Sequence, residues 1–193
     1  MRPDRDLYFM EVAHVIRKRS TCTRGSVGAV AVMDRRIIAT GYNGSPPGAP
    51  HCTELGCLVS ANHHEAGCQR TLHAEANLIA WAARTGQATL GATLYCTHGP
   101  CLNCAKLILS AGFTRLLYGV PYRLSEGIVL ISDYIEVEQF DQEYVQALER
   151  RHEAPLTAAE EQGEEALPTE CQTAEGQAYG ESLSRAANEW YKK

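Results

Sequence analysis

The 193-residue sequence lacks any long hydrophobic run. No apolar stretch approaches the roughly 20 residues that a membrane-spanning helix requires. The charged amino terminus, Met1-Arg2-Pro3-Asp4-Arg5-Asp6, leads into no apolar segment of the export-signal type. No internal repeat is present, which excludes a repeat architecture. These absences predict a cytoplasmic protein with no membrane partner.

An excess of positive charge is also lacking. The chain carries 18 basic and 23 acidic side chains, a formal net charge of −5. The whole imbalance lies in residues 151–193, so residues 1–150 are neutral overall. Binding to a polynucleotide requires a basic surface. We therefore expect no nucleic-acid partner, although a local basic patch can still hold one small phosphate.

The composition, 45% hydrophobic and 21% charged residues, supports a packed core. Helical and strand-type patterns alternate along the chain, which favours an α/β layered fold with a mixed sheet. The patterns predict helices at 4–19, 73–84, 101–111 and 124–132, strands at 27–32, 37–40, 93–96, 115–120 and 134–137, and a rigid Gly/Pro-rich loop at 41–48. Near residue 140 the composition shifts to Glu, Ala, Gln, Thr and Gly. This shift predicts a domain at 1–140 and an acidic C-terminal extension at 141–193 that is mobile or loosely helical.

The strongest motif is His73-Ala74-Glu75 followed by Pro100-Cys101-Leu102-Asn103-Cys104. This H-x-E…P-C-x-x-C pattern is the signature of zinc-dependent deaminases. One imidazole and two thiolates fill three corners of a zinc tetrahedron and leave the fourth for water, as in a catalytic site. Taken singly, these residues also fit a closed zinc knuckle, a redox pair, a core histidine or a solvated carboxylate. Taken jointly, their spacing favours the catalytic site.

The motif residues are expected at helix starts. Cys101 and Cys104, three positions apart, share one face of a first turn, and Pro100 suits the start of that helix. His73 and Glu75 are two positions apart, so both reach one metal only at the very beginning of their helix. Thr71 is the predicted cap there.

Four more cysteines, Cys22, Cys52, Cys57 and Cys68, surround a long irregular segment. Without an export signal, metal binding is a better interpretation of them than disulfides. We predict a closed structural zinc site made by these four thiols; free buried thiols are the alternative, and His63 is the leading substitute for one ligand. The remaining histidines and cysteines are not predicted to bind metal. We expect His51 and His64 to be surface residues, Cys96 to be an apolar strand residue and Cys171 to be an exposed thiol.

Across about residues 5–138 the sequence resembles bacterial and phage deoxycytidylate (dCMP) deaminases. The resembling segments are Arg19-Ser20-Thr21-Cys22-Thr23-Arg24, Val27-Gly28-Ala29, Gly41-Tyr42-Asn43-Gly44, Cys68-Gln69-Arg70-Thr71-Leu72-His73-Ala74-Glu75, Gly91-Ala92-Thr93-Leu94-Tyr95 and Pro100-Cys101-Leu102-Asn103-Cys104-Ala105-Lys106. The resemblance implies the three-layer cytidine-deaminase fold, a central mixed five-stranded sheet with helices on both faces. It also implies hydrolysis of dCMP to dUMP and ammonia by zinc-activated hydroxide attacking C4, which supplies dUMP for thymidylate synthesis. Catalytic zinc would lie on His73, Cys101 and Cys104, with Glu75 as acid and base.

The same resemblance assigns substrate contacts and regulation. Asn43 would hydrogen-bond the deoxyribose, although an Asn between glycines also serves simply to make a turn. The phosphate requires cationic or hydroxyl donors; Arg24 is the first candidate, followed by Tyr122 and Arg123. Family members often form hexamers, and many respond to dCTP and dTTP, with Mg²⁺ accompanying the triphosphate near Gly41–Gly48. Trp190 and Tyr191 are either a docking element or a frayed end.

Two other functions compete with dCMP deamination. One is a same-fold deaminase acting on another nucleotide, a nucleoside, a modified dCMP or tRNA, although a tRNA enzyme should have a basic face. The other is a non-catalytic zinc-binding protein of the competence type. A pure binding module has no need of the carboxylate of Glu75 beside an open metal position, whereas a deaminase requires it.

Overall fold

The computed structural model describes residues 4–58 and 68–153. In this part of the chain eleven helices and strands are present. They are α1 (Arg5–Arg17), β1 (Gly28–Met33), β2 (Arg36–Tyr42), α2 (Cys52–Leu55), α3 (Ala74–Thr85), β3 (Thr93–His98), α4 (Leu102–Ser110), β4 (Arg115–Val120), α5 (Glu126–Ser132), β5 (Glu136–Gln139) and α6 (Gln142–Glu153). No helix among these combines the length and the apolar character needed to cross a bilayer.

The five strands form one mixed sheet in the order β2-β1-β3-β4-β5. The hairpin β1–β2 is antiparallel, and β1 also pairs antiparallel with β3. The pairs β3–β4 and β4–β5 are parallel. Parallel pairs require crossover connections, which α4 and α5 provide. Because β3 and β4 run in the same direction, the loops after both strands lie at one edge of the sheet.

Alternating strand residues face two separate cores. In β1, Ala29 and Ala31 pack towards α3, whereas Val30 and Val32 pack towards α1. This alternation follows from the two-residue period of a strand, whose successive side chains point to opposite faces. Helices α3, α4 and α5 cover one face, and α1 and α6 cover the other. The predicted three-layer fold with a mixed five-stranded sheet is confirmed.

Local signals set the helix ends. The side chain of Asp4 accepts a 2.8 Å hydrogen bond from the backbone N–H of Asp6 and caps α1. Helix α3 ends at Gly86, whose φ of 70° places it in the left-handed conformation that glycine adopts without strain. The predicted cap Thr71 was wrong, because α3 begins at Ala74 and its N-cap position is His73. Pro100 likewise precedes the N-cap of α4, which is Cys101.

Two segments are more regular than the sequence indicated. Gly41 and Tyr42, assigned to a loop, form the end of β2 because they pair with Ala29 and Gly28. The boundary predicted at residue 140 is followed by helix α6, in which Val145 and Leu148 are buried. The first compact unit of the chain accordingly extends through residues 1–154. Beyond residue 153, the predicted extension lies outside the described residues, together with Cys171, Trp190 and Tyr191.

Candidate active site

Two helix starts bring the three predicted catalytic-zinc ligands together. His73 is the N-cap residue of α3, Cys101 is the N-cap residue of α4, and Cys104 lies in the first turn of α4. Nδ1 of His73 lies 3.5 Å from Sγ of Cys101 and 3.4 Å from Sγ of Cys104. Among the described residues, these three form a group whose ligand atoms all lie within 4.8 Å of one another.

The donor set fits zinc. Zn–S bonds of about 2.3 Å and Zn–N bonds of about 2.0–2.1 Å in a tetrahedron place N and S ligands roughly 3.6 Å apart. The two N···S distances match this spacing. Two sulfurs and one imidazole nitrogen leave one coordination position for a small molecule, as catalytic zinc sites do.

Hydrogen bonds among the three ligand side chains lower the pKa of one of them, Cys101. A hydrogen bond from Cys104, together with the adjacent His73, lowers the pKa of Cys101 to about 3. The hydrogen bond to Cys101 and burial raise the pKa of Cys104. The same thiolate raises the pKa of His73. Cys101 is therefore a thiolate at neutral pH, and thiolate is the form that binds a metal.

Glu75 lies beside the ligand cluster in the first turn of α3 and is only 3% exposed. Burial raises the pKa of this carboxyl, although His73 and a hydrogen bond from Cys104 act in the opposite direction. A raised pKa makes the carboxylate a stronger base towards water, which favours proton transfer by this side chain. This is the property that a catalytic proton carrier needs.

Two glycines permit the close packing that positions these helix starts. A Cβ on Gly41 of β2 would lie 2.3 Å from the carbonyl oxygen of Ala74. A Cβ on Gly127 of α5 would lie 2.2 Å from the carbonyl oxygen of Pro100 and 2.8 Å from the carbonyl carbon of Cys101. Any larger residue would displace α3 or α4, and the ligand spacing depends on both helices.

The ligand cluster opens into a cavity of about 260 Å³. Of the predicted site residues, those lining it are Cys22, Arg24, Asn43, Cys68, His73, Glu75, Cys101, Tyr122 and Arg123. Cys52, Cys57 and Cys104 do not line the cavity. The guanidinium of Arg123 lies 5.6 Å from the ring centre of Tyr122, in cation–π geometry. The structure thus places all four predicted substrate contacts around the same space as Glu75.

Asn43 has a demonstrable structural role. It is 7% exposed, and its Oδ1 accepts a 2.8 Å hydrogen bond from the backbone of Val27. Its Nδ2 donates a 2.8 Å hydrogen bond to the carbonyl oxygen of Gly25. The side chain therefore fixes the 25–27 segment next to Arg24. One Nδ2 hydrogen remains unassigned by these two bonds, so a ligand contact stays compatible with the structural role.

Two residues next to the site, Thr97 and His98, were not predicted from the sequence. His98 lines the cavity at the end of β3, and its Nδ1 lies 3.1 Å from Oγ1 of Thr97. Thr97 is fully buried and accepts a 3.1 Å hydrogen bond from the backbone of Gly28. Their position just before Gly99-Pro100-Cys101, where a strand ends beside the ligand loop, is the signal that indicates them.

Two members of the second cysteine group lie close together. Sγ of Cys52 lies 3.5 Å from Sγ of Cys68. Burial and the nearby cysteines raise the pKa of Cys52 to about 11, and the hydrogen bond that Cys57 donates to Cys68 raises the pKa of Cys57. Cys22 contributes to the charge environment of Cys52. Among the described residues, no three of these four cysteines form a group whose sulfurs all lie within 4.8 Å of one another, so a four-thiol zinc site stays a prediction.

The histidines around this cysteine group have different surroundings. His51 was predicted to lie on the surface. It is instead half-buried, because its Nδ1 lies 3.0 Å from Oγ1 of Thr21 and its backbone N–H is bound by Glu54. His63 and His64 lie outside the described residues. Cys96 is fully buried in β3.

The fold and the His/Cys/Cys site beside a buried glutamate define a zinc-type hydrolytic deaminase. Residues 3–120 match the family model described as the cytidine and deoxycytidylate deaminase zinc-binding region. The chain belongs to this family, as the sequence motifs predicted.

Individual relatives agree with this assignment. ComE operon protein 2 of Bacillus subtilis is 47% identical over 116 residues, 60% of this chain and 59% of that protein. The deoxycytidylate deaminase of Mycobacterium phage D29 is 41% identical over 124 residues, 61% of this chain and 95% of that protein. The crystal structure of the cyanophage S-TIM5 dCMP deaminase in complex with dCMP and dUMP superposes with a TM-score of 0.62 at 31% identity. It covers 72% of this chain and 99% of that chain.

Proposed function

We propose that the protein hydrolyses dCMP to dUMP and ammonia. One observation carries the proposal: a single cavity holds the His73/Cys101 metal-binding edge, the buried carboxyl of Glu75 and the cationic side chains of Arg24 and Arg123. A bound dCMP would place its cytosine ring beside the metal ligands and Glu75, and its 5′-phosphate beside Arg24 and Arg123. The phage relatives described above, which are named dCMP deaminases, support the same substrate.

In the proposed mechanism, His73, Cys101 and Cys104 would hold a zinc ion, which would act as a Lewis acid and lower the pKa of a water molecule. Glu75 accepts a proton from the attacking water and delivers it to N3 of the ring while oxygen adds to C4. Glu75 then takes the proton of the new hydroxyl at C4 and donates it to the amine, so that the C4–N bond breaks, ammonia leaves and the C4 carbonyl of dUMP forms. Because Glu75 is almost fully buried, bulk water cannot exchange protons with its carboxyl group during these transfers.

Substrate selection in this proposal rests on the cavity wall. Arg24, Arg123 and the hydroxyl of Tyr122 would bind the phosphate, since charge-assisted bonds from guanidinium groups suit phosphate oxygens. Asn43 would hold the 25–27 segment in place and offer its remaining Nδ2 hydrogen to the deoxyribose. The structural role and the substrate contact of Asn43 would therefore use the same side-chain amide.

Further parts of the proposal concern the metal content, the assembly and the physiological role. Cys22, Cys52, Cys57 and Cys68 would hold a structural zinc, with His63 as the substitute ligand. The product dUMP would feed thymidylate synthesis in the cytoplasm. A homohexamer regulated by dCTP and dTTP, bound with Mg²⁺ near Gly41–Gly48, belongs to the same proposal.

The test is a substrate panel. We expect the zinc-loaded protein to convert dCMP with a higher kcat/KM than deoxycytidine, CMP or dCTP, with products followed by chromatography and dCTP also tried as an activator. Preference for another of these compounds would still support a deaminase activity, but it would contradict the assignment of the phosphate site. A 5-substituted dCMP belongs in the panel, because a modified nucleotide is the nearest alternative substrate.

A non-catalytic role is the second candidate, because ComE operon protein 2 shares 47% identity with part of this chain. Glu75 favours the enzyme, since a binding module needs no buried carboxyl beside an open metal position. The absence of turnover with every compound in the panel, by a protein that retains its zinc, would favour this second candidate.

A further inference from the structure

A second cavity, of about 610 Å³, lies between the start of α1 and the β1–β2 turn. Its lining residues are Arg5, Tyr8, Phe9, Asp34, Arg35 and Arg36. It lies far from the catalytic cavity. The β1–β2 register runs from Met33–Arg36 at the turn to Gly28–Tyr42 beside Asn43, a separation of roughly 20 Å at about 3.3 Å per residue.

The three guanidinium groups around this cavity belong to Arg5, Arg35 and Arg36. Within residues 4–58 and 68–153, no carboxylate forms an ion pair with Arg5, Arg35 or Arg36. With Asp34 the lining has a formal charge of +2. Arg115, by contrast, has three carboxylate partners. Concentrated positive charge around a concave surface attracts anions.

The turn that presents two of these arginines has an unusual sequence for its backbone. Asp34 and Arg35 form a two-residue hairpin loop with φ values of 49° and 64°. Both residues of such a type I′ turn lie in the left-handed region, where Asn and Gly are favoured. A residue with a long side chain costs roughly 1–2 kcal/mol there. A ligand contact by Arg35 would explain why arginine stands where glycine is less strained.

We propose that this cavity binds a small phosphate-bearing molecule with at least two negative charges. Guanidinium groups match phosphate oxygens in bidentate geometry, and three of them suit more than one phosphoryl group. The cavity volume is in the range of small-molecule sites. Tyr8 is 48% exposed and offers a ring for an aromatic part of the ligand. A polynucleotide suits the surface less well, because residues 1–150 are neutral overall.

The test uses adenosine 3′,5′-bisphosphate, which carries two phosphates and an aromatic base that is not cytosine. Its binding to the zinc-loaded full chain is measured by calorimetry in an Arg24→Gln/Arg123→Gln background, which removes the cations of the catalytic cavity. Adding Arg35→Gln and Arg36→Gln should weaken binding about tenfold or more. Adding Arg84→Gln, a control on α3 whose guanidinium stacks on Trp81, should leave binding unchanged.

Three results would overturn the proposal: no binding in the Arg24→Gln/Arg123→Gln background, equal weakening by Arg84→Gln, or tighter binding of a hexaglutamate peptide than of the bisphosphate. The last result would assign the cavity to acidic peptides. Asp34, Arg35 and Arg36 are exposed, so the Arg35→Gln/Arg36→Gln variant should fold normally. Circular dichroism and the melting temperature check this directly.

Discussion

Nδ1 of His73 lies 3.4 Å from Sγ of Cys104, although 31 positions separate the two residues in the chain. The contact exists because α3 and α4 both begin at the same edge of the sheet. Helix amino termini carry partial positive charge, which stabilises the thiolates that a metal requires. The metal-binding group is thus a product of the fold and not of either helix alone.

The first prediction concerns this metal-binding group. Cys104→Ser should lower the zinc content by one ion per chain, because a weakly acidic hydroxyl replaces one of three protein ligands. Plasma mass spectrometry on purified protein measures the content. Cys96→Ala is the matched control, since Cys96 is also buried but makes no part of the ligand group. Unchanged zinc in Cys104→Ser would contradict the ligand assignment.

The second cysteine group gives a separate metal prediction. Wild-type protein should contain two zinc ions, and Cys52→Ser should lose one of them while the ion at His73 remains. The melting temperature should also fall, because binding energy at a closed zinc site contributes to folding stability. A Cys57→Ser variant that keeps both ions, combined with a His63→Ala variant that loses one, would move the fourth ligand from Cys57 to His63.

Arg123 tests phosphate recognition. Arg123→Gln should lower kcat/KM for dCMP by about 10- to 100-fold, the effect of losing one charge-assisted contact to phosphate. Deoxycytidine has no phosphate, so its turnover should be unaffected. Arg84→Gln, an arginine outside the cavity, is the control. An equal loss with both substrates would mean that Arg123 acts on the ring or on the fold and not on the phosphate.

We expect Asp6 to contribute to stability in a pH-dependent way. Partial burial acts to raise the pKa of Asp6, but hydrogen bonds from Arg115 and Tyr95 outweigh it and leave the pKa lowered. Because the folded-state pKa is lowered, the Asp6 carboxylate stabilises the fold at pH values above its ordinary pKa of 3.8. This stabilisation is lost as the pH falls through the folded-state pKa. Asp6→Asn should therefore reduce the free energy of unfolding by about 1–2 kcal/mol at pH 7.

Denaturant titrations at several pH values check the Asp6 prediction. The difference between wild type and Asp6→Asn should shrink as the pH falls below 3.8 and through the lowered folded-state pKa, where the wild-type carboxylate becomes protonated. Asp133→Asn provides a control, because Asp133 is exposed and lies outside the ion pairs of Arg115. A difference between wild type and Asp6→Asn that is independent of pH would contradict the role of the charge.

The sequence identified the ligand group because its information is local. His73, Glu75, Cys101 and Cys104 each have a fixed spacing to a neighbour, and such spacing is visible without a structure. His98 was missed because its place in the cavity depends on where β3 ends relative to α4. The double role of Asn43 was also hidden, since its partners Val27 and Gly25 are 16 and 18 positions away.

Helix α6 shows a different limit of sequence interpretation. Charged residues dominate it, so composition indicated a loose tail. Among the side chains of α6 whose burial the structure describes, Val145 and Leu148 are deeply buried, and they pack against a sheet face that α1 leaves partly uncovered. Two apolar side chains at helical spacing suffice when a complementary surface exists, but the surface itself is not visible in the local sequence.

The most direct test of the proposed reaction is the formation of dUMP from dCMP by zinc-loaded wild-type protein and by Glu75→Gln. We expect wild type to release dUMP and ammonia in equal amounts, and Glu75→Gln to be slower by about 10²- to 10⁴-fold with its zinc retained. Glu143→Gln, on the exposed side of α6, should match wild type. Full activity in Glu75→Gln, or no dUMP from zinc-loaded wild type, would contradict the proposed catalysis.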